Sequence, residues 1–390
     1  MSKKQLTYLL VFSVSLFLVL CLNVVVYFLA IRQGNDGVTL QLFGGGDDGA
    51  FYWEQIQNIL RGLPWIRTSV YPLVSAFFIR LTNLNDVFMI RLFNLIAYFV
   101  LVIFSLKIVE HLYLETNKKS EEIYNRKIFL IVAFTIYLSL QMNVHISILR
   151  DVWIYALYVM SLYYYLKILN NKGIKYWNIV VLLISLYVLG QFRAYILVSF
   201  LMSSMLIFIY RYLNTSRHLI IFFGVVFAIF VLYYTFLMDF QVPFVEKSLR
   251  DGLIYRFSAI EFIDAGSQMN IDLITPNFMV FIVRYIHSFF GNLIGPLPWH
   301  ISGFSTLIVF FAETTWMAVM VYYIFKNRRN IQYTEGIILI HGLVWNGFIA
   351  FSNDNIGTAT RLRPITWILF IIVFINIISN RKKTRTLERR

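Results

Sequence analysis

One cysteine, Cys21, is all the thiol chemistry in 390 residues. No disulfide can form within the chain, and no cysteine cluster can hold a metal. Charge is scarce as well: 14% of the residues are charged, against 59% that are apolar. A soluble domain of this length has no use for so much hydrocarbon surface, whereas a chain living in lipid requires it. His145, His287, His300 and His341 are scattered, with no paired spacing for zinc. No glycine-rich phosphate loop with its lysine occurs, which argues against ATP-driven work, and there is no serine nucleophile elbow. Internal repeats and low-complexity tracts are absent from the pattern.

What is present is a series of long apolar runs. Residues 9–31 are apolar for about the length a bilayer requires, roughly 20 residues. Lys3 and Lys4 precede them, no small-residue cleavage site follows, and the run reads as a retained signal anchor with its N-terminus cytoplasmic. Further spans are expected over 87–109, 128–144, 152–169, 177–190, 194–210, 219–239, 304–325, 336–351 and 363–379, ten with the first. The pair 177–190 and 194–210, broken at Gly190-Gln191-Phe192-Arg193, reads either as two spans or as one long bent helix. The expected fold is therefore an all-α polytopic membrane protein, one transmembrane domain over 1–390 with two longer outer segments, 32–86 and 240–303, and a basic cytoplasmic tail, 380–390. Within the outer segments, 68–81 and 277–303 are apolar but interrupted, by Pro72 and Arg80 in the first and by Arg284 and His287 in the second. Both suit helices lying at the interface, the second followed by a re-entrant loop.

Charge distribution tests this topology. The inner segments carry 21 of the 34 Lys and Arg residues but only six of the 20 acids. Basic excess on one side is what orients helices in a bilayer. The net charge of +14 then reports topology and anionic headgroups, and nucleic acid is not an expected partner.

The candidate chemistry lies on the outer side. Asp47 and Asp48 stand between the glycines 44–46 and the cluster Phe51-Tyr52-Trp53, just beyond the first span. Adjacent carboxylates repel, which raises one pKa or recruits a cation such as Mg2+ or Mn2+. Glycines let backbone approach a ligand, and Tyr52 and Trp53 offer flat faces that stack on sugars. A solvated acidic turn is the plainer reading of the same residues. Asp151 opens the span 152–169 directly after Arg150, either as a first-turn acid paired with that arginine or as a second acid or metal ligand beside the Asp pair. Arg193, Arg250, Arg256, Arg284, Arg361 and Arg363 form an outward cationic set suited to phosphate, with snorkelling at the boundary as the alternative. Glu313 lies inside a span, where it needs an arginine partner or a proton path.

The run Gly46-Asp47-Asp48-Gly49-Ala50-Phe51-Tyr52-Trp53, then Gly62-Leu63-Pro64 and Tyr71-Pro72-Leu73, resembles the first outer loop of GT-C superfamily glycosyltransferases. Leu149-Arg150-Asp151-Val152 is similar to their second acidic position, and Arg361-Leu362-Arg363-Pro364 to the basic-Pro start of a late helix. Phe290 to Trp299 resembles a stretch of envelope-polysaccharide membrane proteins. The second acid is Asp48 where many relatives have Glu, so either Asp47 or Asp48 stands at the catalytic position.

The resemblance implies an inner-membrane, multi-pass enzyme with its active site on the extracytoplasmic side and both termini cytoplasmic. It would move a sugar from a polyprenyl-phosphate carrier to a glycan or lipid acceptor of the envelope, with inversion. Asp47 or Asp48 would act as general base, with Asp151 nearby. Tyr52, Trp53, Arg150 and the arginine set would bind substrate, and a divalent cation on Asp47, Asp48 and Asp151 is an option. Two other readings stand beside it. One is a repeat-unit polymerase for O-antigen or capsule, served by Arg250, Arg256 and Arg284. The other is a lipid-linked sugar flippase or transporter, served by Arg193 and Glu313 at membrane depth.

Overall fold

The computed structural model describes residues 2–42, 48–115, 120–170, 175–212, 216–241, 248–262 and 267–388. Among them the chain is helical and holds no named strand, only two isolated β-bridges, Thr39 with Ser147 and Gln268 with Asn355. In order the helices are α1 Lys3–Arg32, α2 Asp48–Arg61, α3 Tyr71–Thr82, α4 Val87–Leu114, α5 Ser120–Ile136, α6 Leu138–His145, α7 Asp151–Asn170, α8 Tyr176–Phe192 and α9 Ala194–Tyr212. They continue with α10 Ser216–Phe236, α11 Leu249–Phe262, α12 Phe278–Ile294, α13 Phe304–Val309, α14 Thr315–Lys326, α15 Tyr333–Ser352, α16 Ile356–Leu362 and α17 Pro364–Glu388. Helices dominate because a segment in hydrocarbon must satisfy every backbone N–H and C=O internally.

Among the described residues six helices are long and apolar enough to cross a membrane, and up to eight if each of two bent pairs is one span. Ten were expected. The six are α1, α4, α7, α9, the continuous run Phe304–Lys326 and α15. The bent pairs account for the expected spans 128–144 and 363–379. One bends by 63° at Tyr137, between α5 and α6, and the other by 55° at Arg363, between α16 and α17. At the second bend Pro364 opens α17, where its missing N–H costs nothing. The expected span 177–190 falls in α8, which at 17 residues is short for a bilayer. The span 219–239 falls in α10, which is not among the six, and several of its side chains lie outside the described set. At Arg193 the extended backbone separates α8 from α9, so 177–210 is two helices.

The chain divides into two compact units. The first comprises Met1–Arg193, Met320–Glu335 and Trp367–Arg390. Here α4 packs along α7, α7 along α8, α1 along α5, and α2 against α3. Burial separates core helices from peripheral ones: α4 and α7 each bury 56% of their most apolar stretch, but α1 only 17%. Leu10, Phe17 and Phe28 of α1 are exposed along its length, as expected of a helix whose outer solvent is lipid. After α1 the chain turns back through Gly34, Asp36 and Gly37, all with positive φ. At Gly37, with φ +78°, a Cβ would also lie 2.3 Å from the Tyr27 ring, so only glycine fits. The hydroxyl of Tyr27 donates to Asp86, whose carboxylate caps α4 by accepting from the Phe88 N–H.

The second unit comprises Ala194–Val319 and Gly336–Thr366. Its centre holds a fully buried ion pair. Glu313 lies in a single π-helical turn, Phe310–Thr314, that joins α13 to α14. Its carboxylate meets the Arg363 guanidinium at 2.5 Å, and neither side chain is exposed. The same guanidinium donates to the Gly295 carbonyl. Glu313 therefore anchors one of the boundary arginines. Removing one partner of such a pair strands a buried charge, at a cost of about 3–5 kcal/mol, whereas removing both is far milder. Arg363→Met should accordingly lower the thermal unfolding midpoint in detergent sharply, and adding Glu313→Gln should recover much of the loss.

Candidate functional site

The site belongs to the first unit and begins with how the segment after α1 is pinned. Residues 38–40 run beside 146–148: Thr39 bridges Ser147, and the Leu40 N–H donates to the Ile146 carbonyl at 2.9 Å. Beneath them lies Arg91, buried near the start of α4. Its Nε donates to the Gly37 carbonyl at 2.7 Å, and its Nη atoms reach the carbonyls of Val38 and His145. One side chain thus ties the segment after α1 to the end of α6, just before the loop that leads into α7. Asp48 follows eight residues after Leu40, and Asp151 three after Ile148, so this pinning brings the two acids to one end of the unit.

Asp47 and the glycines 44–46 lie outside the described residues. Asp48 is the first residue of α2 and is exposed. One turn later on the same face is Tyr52, only 2% exposed. The Tyr52 ring packs edge-on against Tyr71 at 5.2 Å, and the Arg150 guanidinium sits 5.8 Å from its centroid. Tyr71 is in turn fixed by its hydroxyl, which donates to Asn94 and to the Ile148 carbonyl at 3.2 and 3.3 Å. Asp151 is 1% exposed and pairs with Arg193 at 3.4 Å. Arg150 donates through Nη1 to the Thr68 and Phe192 carbonyls. The Val70 N–H donates to the Gln191 carbonyl, which closes the ring of segments around the site.

The electrostatics show how tight the cluster is. Burial pushes the Tyr52 phenol up to about 12, against the pull of Arg150, and the charges of Asp151, Asp48 and Arg193 all reach it as well. Two acids and two arginines therefore share one tyrosine. Their surroundings differ: Asp48 is exposed, whereas Asp151 is enclosed and pairs with Arg193. The pairing with Arg150 considered for Asp151 does not form; that arginine turns to backbone carbonyls instead.

Other expectations are revised. Tyr52 was expected as a face for sugars, but Tyr71 and Arg150 already cover its ring. Trp53, half-buried, points elsewhere on α2. Of the three acids expected to hold a divalent cation, Asp47 lies outside the described residues, Asp48 is exposed and Asp151 pairs with Arg193. Among the described residues no three acid, histidine or cysteine side chains gather as a metal site. Residues that sequence reasoning missed are Arg91, Asn94 and Trp153, the last packed 4.5 Å from Phe93 with a buried indole N–H that has no hydrogen-bond partner among the described residues. The only signal for Arg91 was a charge one turn inside an apolar run.

The remaining arginines belong to the second unit. Arg256 is buried, pairs with Asp354 at 2.5 Å and donates to the carbonyls of Ile271, Ala350 and Asn353. Burial pushes the Asp354 carboxyl up, opposed by Arg256 and by the N–H groups of Ile271 and Asn270. Arg256 and Arg363 are thus structural ties with no surface to offer a substrate. Arg250 pairs with Asp239 at 2.6 Å in the open, Arg284 lies 3.9 Å from Asp272, and Arg361 is half-buried.

Because Tyr52 stays protonated far above neutrality, its phenol takes no part in titrations near pH 7. Tyr52→Phe should leave any pH profile of the protein unchanged between about pH 6 and 9, while Tyr52→Ala, which removes the ring from Tyr71, should lower the unfolding midpoint.

No protein-family model, curated protein or solved structure matches this chain.

Proposed function

We propose that this chain is a membrane glycosyltransferase of the GT-C type, which moves a sugar from a polyprenyl-phosphate carrier to a glycan or lipid acceptor outside the inner membrane. The observation that carries the reading is the meeting of an exposed acid, Asp48, with an enclosed Asp151–Arg193 pair and Arg150 around Tyr52. Two acids in contrasting surroundings are what separates a working base from a supporting charge. Nucleotide sugars are absent on that side of the membrane, so the donor must be carried by a lipid, and the helical, lipid-exposed body suits an isoprenoid tail.

Asp48, with Asp47 beside it in sequence, takes the proton of an acceptor hydroxyl. The oxygen forms a bond to the anomeric carbon from the face opposite the leaving group. The bond from that carbon to the carrier phosphate oxygen breaks, and the phosphate leaves with the electron pair. Arg150 and Arg193 offset the developing negative charge. A single displacement inverts the anomeric centre.

The alternatives have less support. A repeat-unit polymerase would lean on outer-loop arginines, but Arg256 is buried in its own ion pair. A flippase would use Arg193 and Glu313 as charges at depth, yet each is paired within its unit.

The test is sugar transfer by the full chain in nanodiscs, read by mass spectrometry of the lipid fraction from a candidate host. Asp48→Asn or Asp47→Asn should lose about 10²–10⁴ in rate while keeping the wild-type unfolding midpoint. A product heavier by one residue supports single transfer; a ladder of products supports the polymerase. Full activity in both variants would overturn the reading.

A further inference from the structure

A lysine near the end of a span is ordinarily explained by its reach: the stem lies along hydrocarbon and the ammonium finds water. Lys107 and Lys167 differ because they converge. Lys107 lies about two turns before the end of α4, and Lys167 is in the last turn of α7. These two helices pack along one another within the first unit. The Lys107 ammonium stands 5.7 Å from the centroid of the Tyr163 ring, and the Lys167 ammonium stands 5.6 Å from the same centroid. Lys107 also lies 4.7 Å from the Phe104 ring, which packs 5.6 Å from Tyr163 and 5.9 Å from Tyr164. Two cations from two helices therefore border one aromatic platform.

Among the described residues no carboxylate pairs with either lysine. The acids at that end of α4 are engaged with other groups. Glu110 pairs with Lys127 at 2.8 Å. Glu115 accepts from the Thr334 hydroxyl at 3.0 Å and from the Asn170 amide. His111, one turn beyond Lys107, is reached by the Lys167 charge and brings no negative charge of its own. An aromatic face attracts a cation but carries no net charge, so both positive charges stay uncompensated. Like charges held together repel, and an anion placed between them removes that cost.

The helices that carry the platform indicate the source of the anion. Both α4 and α7 are long and apolar enough to cross a membrane. On α4, Ile96 and Ile103 are exposed, and exposed Lys107 follows one turn after Ile103 on the same face. Bare hydrocarbon runs along the span and cations mark its end, which is the layout of an acyl chain leading to a charged headgroup. A free anion would meet the lysines but have no use for the isoleucines. We propose that Lys107, Lys167 and Tyr163 form a binding site for an anionic phospholipid, with its phosphodiester between the two ammonium groups and an acyl chain along Ile103 and Ile96. A headgroup with its own ammonium, such as that of phosphatidylcholine, would add a third cation there and is disfavoured. The site lies at the opposite end of α7 from Asp151 and is independent of the glycosyl-transfer reading.

The test is native mass spectrometry of the full chain in detergent, titrated with phosphatidylglycerol or with phosphatidylcholine of the same acyl chains. The first phosphatidylglycerol should bind about thirtyfold tighter than phosphatidylcholine. Lys107→Gln and Lys167→Gln should each weaken it about fivefold, and the double variant should bind the two lipids alike. Lys107→Arg should stay within about twofold of wild type. Lys175→Gln, which removes an exposed lysine just before α8, should do the same. The lipid-free unfolding midpoints of the glutamine variants should match wild type, since neither lysine loses an ion pair. In a second arm, inorganic phosphate should displace no more phosphatidylglycerol than chloride at equal ionic strength. Equal affinity of wild type for the two lipids would overturn the proposal, as would undiminished preference in the double variant. So would a loss in Lys175→Gln as large as in Lys107→Gln, which would mark a general basic surface, or specific displacement by phosphate, which would mark a free-anion site.

Discussion

A guanidinium taken out of water must be given partners, and this protein buries Arg91, Arg126, Arg256 and Arg363 almost completely. The cost of an unmet buried charge is several kcal/mol, enough to dictate what surrounds it. Arg91 draws in the carbonyls of Gly37, Val38 and His145. Arg256 takes Asp354 and three further carbonyls, and Arg363 takes Glu313 and Gly295. Arg126 reaches Asn376 and Asn380, tying α5 to α17. In three of the four cases the partners include backbone carbonyls of loops and helix ends, groups that need a donor when they are buried. Connections that look loose in sequence are therefore held by these side chains.

The candidate site is a consequence of one such tie. With 37–40 fastened along 145–148, the start of α2 and the start of α7 are brought to the same end of the first unit. The two acids then acquire opposite surroundings from their positions alone. Asp48 opens a short amphipathic helix and is exposed, while Asp151 begins a core helix and is enclosed with Arg193. Arg150, next in sequence to Asp151, points to the Tyr52 ring and to carbonyls of two other segments. Sequence neighbours with separate partners allow one motif to serve both chemistry and architecture.

The helical, membrane-embedded character was legible in the residues, because long apolar runs answer to the bilayer alone. Most expected spans coincide with helices, and the break at Arg193 falls where Gly190-Gln191-Phe192-Arg193 interrupts the apolar pattern. The count was less legible. A run such as 128–144 reads as one span, but Tyr137 turns the chain in its middle, and hydropathy carries no information about a bend. The acids and arginines of the site could be named from their types and their places beside spans. Their pairings could not: Asp151 joins an arginine 42 positions away and ignores the one beside it.

Composition and apolar periodicity, by themselves, determined the solvent this chain lives in and the helices that result, since each depends on local chemistry. Only the tertiary structure decided which arginines are structural and which border the site. It also decided that Tyr52 is covered while Trp299 is exposed, and that the scattered His287 and His300 meet directly through their Nε2 atoms. Those outcomes depend on residues far apart in the chain, and on the need of each buried donor to find an acceptor, which no local pattern encodes.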